Sequence, residues 1–154
     1  MKLKDFVQIL DDISENFTFL DKYGFAIKNI TFDSEMMDYW EIILYSFPKK
    51  ICIKLSSDRG ELFASFCSMG QKPYTWLELD QLIYTMSDFK EFIGSYEGDL
   101  SNMQLQIERV NSYLKKYIVR IVDFFDEDNY EKYRHKFKSI RQELNAIYLE
   151  KHSK

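Results

Sequence analysis

The sequence predicts an α+β fold: an N-terminal helix, a four-stranded antiparallel meander, then one helix and a long C-terminal αα-hairpin packed on the sheet. Two observations carry this. In the C-terminal third, Leu100, Met103, Ile107, Val110, Leu114, Tyr117, Ile121 and Phe124 step by three and four residues. Tyr130, Tyr133, Phe137, Ile140, Leu144 and Ile147 repeat that spacing after the acidic break Asp126-Glu127-Asp128. Such steps keep apolar side chains on one face of a helix, and a short polar connection folds two such helices back on each other. Between Phe25 and Phe66, by contrast, apolar residues alternate with polar ones or run continuously between turn signals, as strands do.

Taken in order, Phe6, Leu10, Ile13, Phe17 and Leu20 predict an amphipathic helix over 3–22, with Gly24 placed to end it. Phe25 to Asp33 reads as the first strand, and the apolar, aromatic run Tyr39 to Phe47 as the second. After the turn Pro48-Lys49-Lys50, Ile51, Ile53 and Leu55 alternate with Cys52, Lys54 and Ser56. Ser57-Asp58-Arg59-Gly60 supplies hairpin chemistry before Leu62, Ala64 and Phe66. Gly70 to Pro73 ends the sheet. Thr75-Trp76-Leu77-Glu78 has the form of a capping box, opening a helix with the stripe Trp76, Leu79, Ile83, Met86, Phe89 and Ile93. Gly94 to Asp99 is a break. Ser101-x-x-Gln104 and Asp128-x-x-Glu131 read as capping boxes for helices over 100–124 and 129–149, and 150–154 as a frayed tail. At 154 residues the expected organisation is a single domain over 1–154.

Composition narrows the function classes. Hydrophobic residues make 45% of the chain and aromatics 17%, which argues against disorder. Formal charge is −4, so the basic footprint of a nucleic-acid binder is missing. Residues 129–154 hold seven Lys/Arg and three Asp/Glu, a balance of +4 that leaves −8 for residues 1–128. The basic tail reads as a solvated helix face, and the acidic body as a surface toward which a basic partner is steered. No leader and no membrane-length apolar run is visible, which fits a cytoplasmic protein. Cys52 and Cys67 fall on neighbouring strands, where either a disulfide or two small buried thiols would fit.

Chemistry-bearing patterns are missing. His135 and His152 are the whole histidine supply and have no metal-ligand spacing around them. There is no nucleophile elbow and no phosphate-cradling glycine loop, so the expectation is no enzyme, no metal and no cofactor. The acidic group Asp123-x-x-Asp126-Glu127-Asp128 lacks the spacing and glycine of a calcium loop and reads as an inter-helix turn. Eleven tyrosines suit half-buried strands and protein interfaces. The expected partner-binding residues are therefore Asp126, Glu127 and Asp128, with Tyr130 and Tyr133 beside them as apolar anchors, and Asp58 and Glu61 on the hairpin.

The Phe19-Leu20-x-x-Tyr23-Gly24-Phe25 junction, the Tyr39-Trp40-Glu41-Ile42 strand and the Trp76-Leu77-Glu78-Leu79 segment resemble small bacterial α+β proteins. Among these are immunity proteins of polymorphic toxin and contact-dependent growth inhibition systems. The resemblance covers roughly residues 17–93 and carries no functional residue over. It implies a protein-binding inhibitor that blocks a cognate toxin, with a basic toxin domain as partner. The alternatives are an adaptor or self-assembling protein using its C-terminal helices, with a homodimer as one outcome, and an enzyme with no recognisable motif.

Overall fold

The computed structural model describes residues 1–36, 38–70, 75–87 and 100–153. It is an α+β fold with an N-terminal helix, an antiparallel sheet and further helices. Helix α1 spans Leu3–Asn16, shorter than the 3–22 expected from the sequence. Asn16 Nδ2 donates to Asp12 O at 2.7 Å, and the chain tightens into a 3₁₀ segment over Thr18–Tyr23. The cause is spacing: Phe17, Leu20 and Tyr23 are three apart, the 3₁₀ period, and Phe17 and Leu20 are buried. Gly24 ends the segment at φ 82°, where a Cβ would sit 3.0 Å from Pro48 Cγ.

The sheet has five strands where the sequence predicts four. β1 (Phe25–Asp33), β2 (Tyr39–Ser46), β3 (Ile51–Asp58), β4 (Glu61–Ser68) and β5 (Leu77–Glu78) pair antiparallel in chain order. The fifth strand corrects the capping-box reading of Thr75-Trp76-Leu77-Glu78. Leu77 pairs with Phe66 and Glu78 with Ser65, so this segment spends its backbone groups on the sheet edge. Helix α2 (Leu79–Met86) follows at once.

Period-two alternation sorts the sheet into two faces. Trp40, Ile42, Leu44, Ile51, Ile53, Leu55, Ala64, Phe66 and Leu77 are buried on the inner face. Phe6 of α1 stacks on Phe32 at 4.7 Å and meets Trp40 at 6.0 Å, which seats α1 over β1 and β2. Helix α3 (Met103–Phe124) covers β4 and packs beside α1. Its buried positions include Met103, Ile107, Leu114, Tyr117, Ile121 and Phe124 of the predicted stripe, with Gln106, Asn111 and Ile118 buried beside them, and Val110 packs half-buried against the same core. The α3 helix begins after a 3₁₀ turn over Leu100–Asn102, and its N-cap is Asn102 where the sequence suggests Ser101.

Helix α4 spans Glu127–His152, starting two residues before the predicted 129 and running through the tail expected to fray. Tyr130 N donates to Asp126 O at 2.8 Å, so Asp128 lies inside the first turn and is not its cap. The long helices join through Phe125 and Asp126, with Phe124, Phe125 and Tyr130 packed at the corner. Farther along, Leu144 of α4 is buried with Tyr84 of α2. The C-terminal helix thus lies against α2 as well as α3, an adjustment of the plain αα-hairpin. The predicted break over 94–99, the α2 stripe positions Phe89 and Ile93, and the side chains of Phe137 and Ile140 lie outside the described residues. No described helix is long and apolar enough to cross a membrane.

Candidate protein-interaction face

The outer face of the sheet is where chemistry-bearing side chains collect, and strand register decides which ones meet. The β3–β4 hairpin turns through Arg59 and Gly60, both at positive φ (53° and 86°), as a two-residue loop requires. That loop fixes Asp58 opposite Glu61 and Ser56 opposite Phe63. Across the other seams, Asp33 pairs with Tyr39, Thr31 with Glu41, and Glu41 with Ser56. Two adjacent rows at the hairpin end therefore carry four carboxylates, Asp33, Glu41, Asp58 and Glu61, beside Tyr39 and Phe63. Among the described residues of these rows and their turn, Arg59 is the sole cation, 3.9 Å from Asp58 and well exposed.

Tyr39 ties the rows together. Its hydroxyl donates to Glu41 Oε2 at 2.7 Å. Burial, then the Glu41 hydrogen bond and charge, then the Asp58 charge, push its pKa up to about 12. Tyr39, Glu41, Ile43, Glu61 and Phe63 are half-buried and Asp58 is exposed, in contrast to the closed inner face. Asp33 is already engaged, accepting from the amides of Glu35 and Met36 at 2.9 and 3.3 Å.

The hairpin is clamped from behind. Gln106 of α3, buried at 2% exposure, accepts from Leu62 N at 2.9 Å and donates to Gly60 O at 2.8 Å and Asn102 Oδ1 at 2.9 Å. Strand β5 pairs β4 only at Ser65 and Phe66, so the Leu62 amide lies beyond its reach and Gln106 supplies the missing acceptor.

Toward the other end of the face, Lys54, Ser65 and Glu78 line up across β3, β4 and β5. Lys54 Nζ lies 4.4 Å from the Trp76 ring centroid. Burial raises the Glu78 carboxyl pKa, opposed by its hydrogen bond to Ser65 and by the Lys54 and Arg141 charges. Cys52 and Cys67 face each other in register, and both are free, buried thiols. Burial first, then its neighbour, pushes Cys67 up to about 12, which keeps the thiol protonated and unreactive. Of the two fits open to the sequence, buried thiols is the one observed.

The sequence-predicted residues divide. Asp58 and Glu61 stand together on the outer face. Asp126 is exposed at the inter-helix corner. Tyr130, expected as an exposed anchor, is 7% exposed and stacked on Phe125 at 5.7 Å, because it closes the core at the corner. The side chains of Glu127, Asp128, Tyr133, His135 and His152 lie outside the described residues. The two acidic turns sit at opposite ends of α3: Gln106 holds the hairpin, and the corner begins about 27 Å away at the helix rise per residue. One compact partner site cannot centre on both.

Tyr39, Glu41 and Phe63 were missed by sequence reasoning, yet a signal existed. Counting back from a two-residue Arg59-Gly60 loop pairs Ser56 with Phe63, and the alternation that buries Trp40 and Ile42 turns Tyr39 and Glu41 outward. Among the described residues no group of three His, Cys, Asp or Glu is arranged to hold a metal. Comparison with family models, curated proteins and solved structures finds no match to this chain.

Proposed function

We propose that this chain is a non-enzymatic protein-binding module that receives a basic protein domain on the hairpin end of its outer sheet face. In this reading it acts as an immunity-like inhibitor of a cognate bacterial toxin. The observation supporting it is the convergence of Glu41, Asp58 and Glu61 with Tyr39 and Phe63 on an accessible, rigid sheet. Carboxylates steer a cationic partner, while half-buried aromatics supply contact area at low entropic cost. A sheet held by Gln106 is a pre-organised platform, which spares a binder the cost of ordering a loop. The buried Tyr130 removes the apolar anchor from the inter-helix corner and moves the preferred site to the hairpin.

The test uses the variable C-terminal domain of a large secreted protein encoded beside this chain, purified and titrated at two ionic strengths. Asp58→Lys with Glu61→Lys should slow association about tenfold or more at low salt, and less at high salt, since rim charges act through on-rate. Asp126→Lys should leave the rate unchanged. Rates insensitive to the hairpin charges, with the fold intact, overturn the placement. A chain encoded among metabolic genes, with no such neighbour, overturns the immunity reading.

A further inference from the structure

Strand β1 is the sheet's outer edge and an unusually open one. Ala26 through Thr31 are all exposed, with Ile27 at 36% and Ile30 at 50%. Among the described residues nothing pairs with its outer side. Open apolar edges invite further strand pairing. The strand has a feature that selects what pairs with it. Its register slips at Lys28, so Ile27 and Ile30, three apart, both fall on the inner face: Ile27 lies opposite Leu44 and Ile30 opposite Ile42. Without the bulge one of them would point outward. With it, the inner-face side chains of β1 are Phe25, Ile27, Ile30 and Phe32, an order that reads the same in both directions about the Lys28–Asn29 bond.

We infer that this edge is the interface of a two-fold symmetric homodimer. A two-fold axis normal to the sheet, half a strand spacing outside β1 and level with the Lys28–Asn29 bond, sets β1 antiparallel to the β1 of a second copy. Ile27 then stands opposite Ile30 of the second copy, twice over, while Phe25, 3% exposed, and Phe32, stacked under Phe6, stay packed in their own core at the two ends. A self-complementary patch of this kind is what an isologous contact needs, and an unrelated strand has no reason to match it. The charges agree. Lys28 is the strand's only cation, and its ammonium is drawn back over the Phe47 ring, 5.8 Å from the centroid.

Helix α1 independently fits the same axis. It sits over β1 and β2, touching Phe32 and Trp40. With strands about 4.8 Å apart, a helix above that seam is about 5 Å from an axis half a spacing outside β1. The two copies of α1 are then about 10 Å apart, the distance at which helices pack. The side of α1 that would meet its copy is apolar apart from the exposed Ser14. Asn16 bonds to Asn111 of α3, and Leu10, Leu3 and Val7 lie about 120–180° around the helix from it. Leu3 is 64% and Val7 47% exposed. Exposed apolar side chains thus stand on both the helix flank and the strand edge.

The test is the mass of the full chain by light scattering across micromolar to hundred-micromolar concentration, with Ile30→Lys and Val119→Lys compared. Val119 is exposed at 57% on α3 and controls for loss of any surface apolar group. The expected result is a species of twice the 18.6 kDa chain mass, weakened at least tenfold by Ile30→Lys and unchanged by Val119→Lys, with thermal melts of all three alike at dilutions where each is monomeric. A nitroxide pair created by Asn29→Cys, next to the axis, should give a single short inter-copy distance. A chain monomeric throughout the range, a dimer untouched by Ile30→Lys, or a long label distance each overturns the inference. The outer-face charges of the proposed function are not involved, so either reading can fail alone.

Discussion

Replacing Gln106 with Leu should cost more than any other polar substitution on α3. The side chain is 2% exposed and satisfies two backbone groups of the hairpin, the Leu62 amide and the Gly60 carbonyl. Leucine keeps the volume but can neither accept nor donate. Each stranded buried group costs about 1–3 kcal/mol, and leucine's own burial returns part of that. The net loss is about 2–4 kcal/mol. For a chain of this size each kcal/mol moves the melting temperature by about 2–4 °C, so the melt should fall by roughly 5–15 °C. Urea unfolding followed by circular dichroism measures the loss. Hydrogen exchange at the Leu62 amide locates it, since that proton should exchange much faster in the variant. A change within about 0.5 kcal/mol, or unaltered protection at Leu62, would refute the clamp and with it the claim that the hairpin is pre-organised.

Three further outcomes follow from the same geometry. Tyr39 has its folded pKa raised from 10.0 to about 12, so its contribution to stability is complete below pH 10 and is lost as pH rises toward 12; Tyr39→Phe should shrink the alkaline slope in denaturant titrations, leaving the part due to the raised Cys67 thiol, and an unchanged slope would place its origin elsewhere. Glu78 has a raised carboxyl pKa caused mainly by burial, so stability is full below the unfolded value and falls as pH rises through the folded one. Glu78→Gln should remove that fall and be more stable than the parent at neutral pH; a difference between them that does not vary from pH 4 to 8 would contradict it. Ser57 is fully buried on the inner face, and its hydroxyl has no hydrogen-bond partner among the described residues. Ser57→Ala should therefore be neutral or stabilising by about 1 kcal/mol in a urea melt, and a loss of that size would mean the hydroxyl is satisfied after all.

Much of the fold was legible because burial alone determined it. The α3 stripe and the alternation of Ile51, Ile53 and Leu55 in β3 are one-dimensional records of a single buried face, and the structure buries those three residues and six of the stripe positions; the continuous apolar run of β2 hid an alternation that the structure shows. What was misread depended on competition between local and distant partners. Thr75 to Glu78 carries capping chemistry, but Phe66 and Ser65 offered the backbone a better partner that spacing cannot reveal. The stretch after Asn16 kept an apolar rhythm while changing its period from near 3.6 to 3, a shift too short to see without the core against it. Gln106 falls between the stripe positions Met103 and Ile107 with nothing in the spacing to mark it, and its role is set by a hairpin 46 residues away. Tyr130 shows the opposite failure: a tyrosine beside a charged turn looks like an interface residue, and only the packing of Phe124 and Phe125 shows that it belongs to the core.

The outer face and the open edge draw on different physics, which separates their behaviour in solution. At the hairpin end, carboxylates at half-buried and exposed positions act over a Debye length of about 8 Å in physiological salt. Their effect is on encounter rate, and it fades as salt is added. Along β1 and the flank of α1 the exposed groups are aliphatic and the charges few, so association there is driven by apolar burial and backbone pairing. That drive strengthens under kosmotropic salts such as sulfate. Raising sulfate should therefore tighten the self-association while slowing capture of a basic partner. Asp58 and Glu61 belong to β3 and β4, with β2 between them and the edge, so these two carboxylates stand clear of β1 even though Asp33 carries the acidic row onto it. A dimer formed through β1 leaves each copy's acidic rows facing outward and doubles the sites offered to a partner, so two tethered basic domains would gain avidity without any new contact.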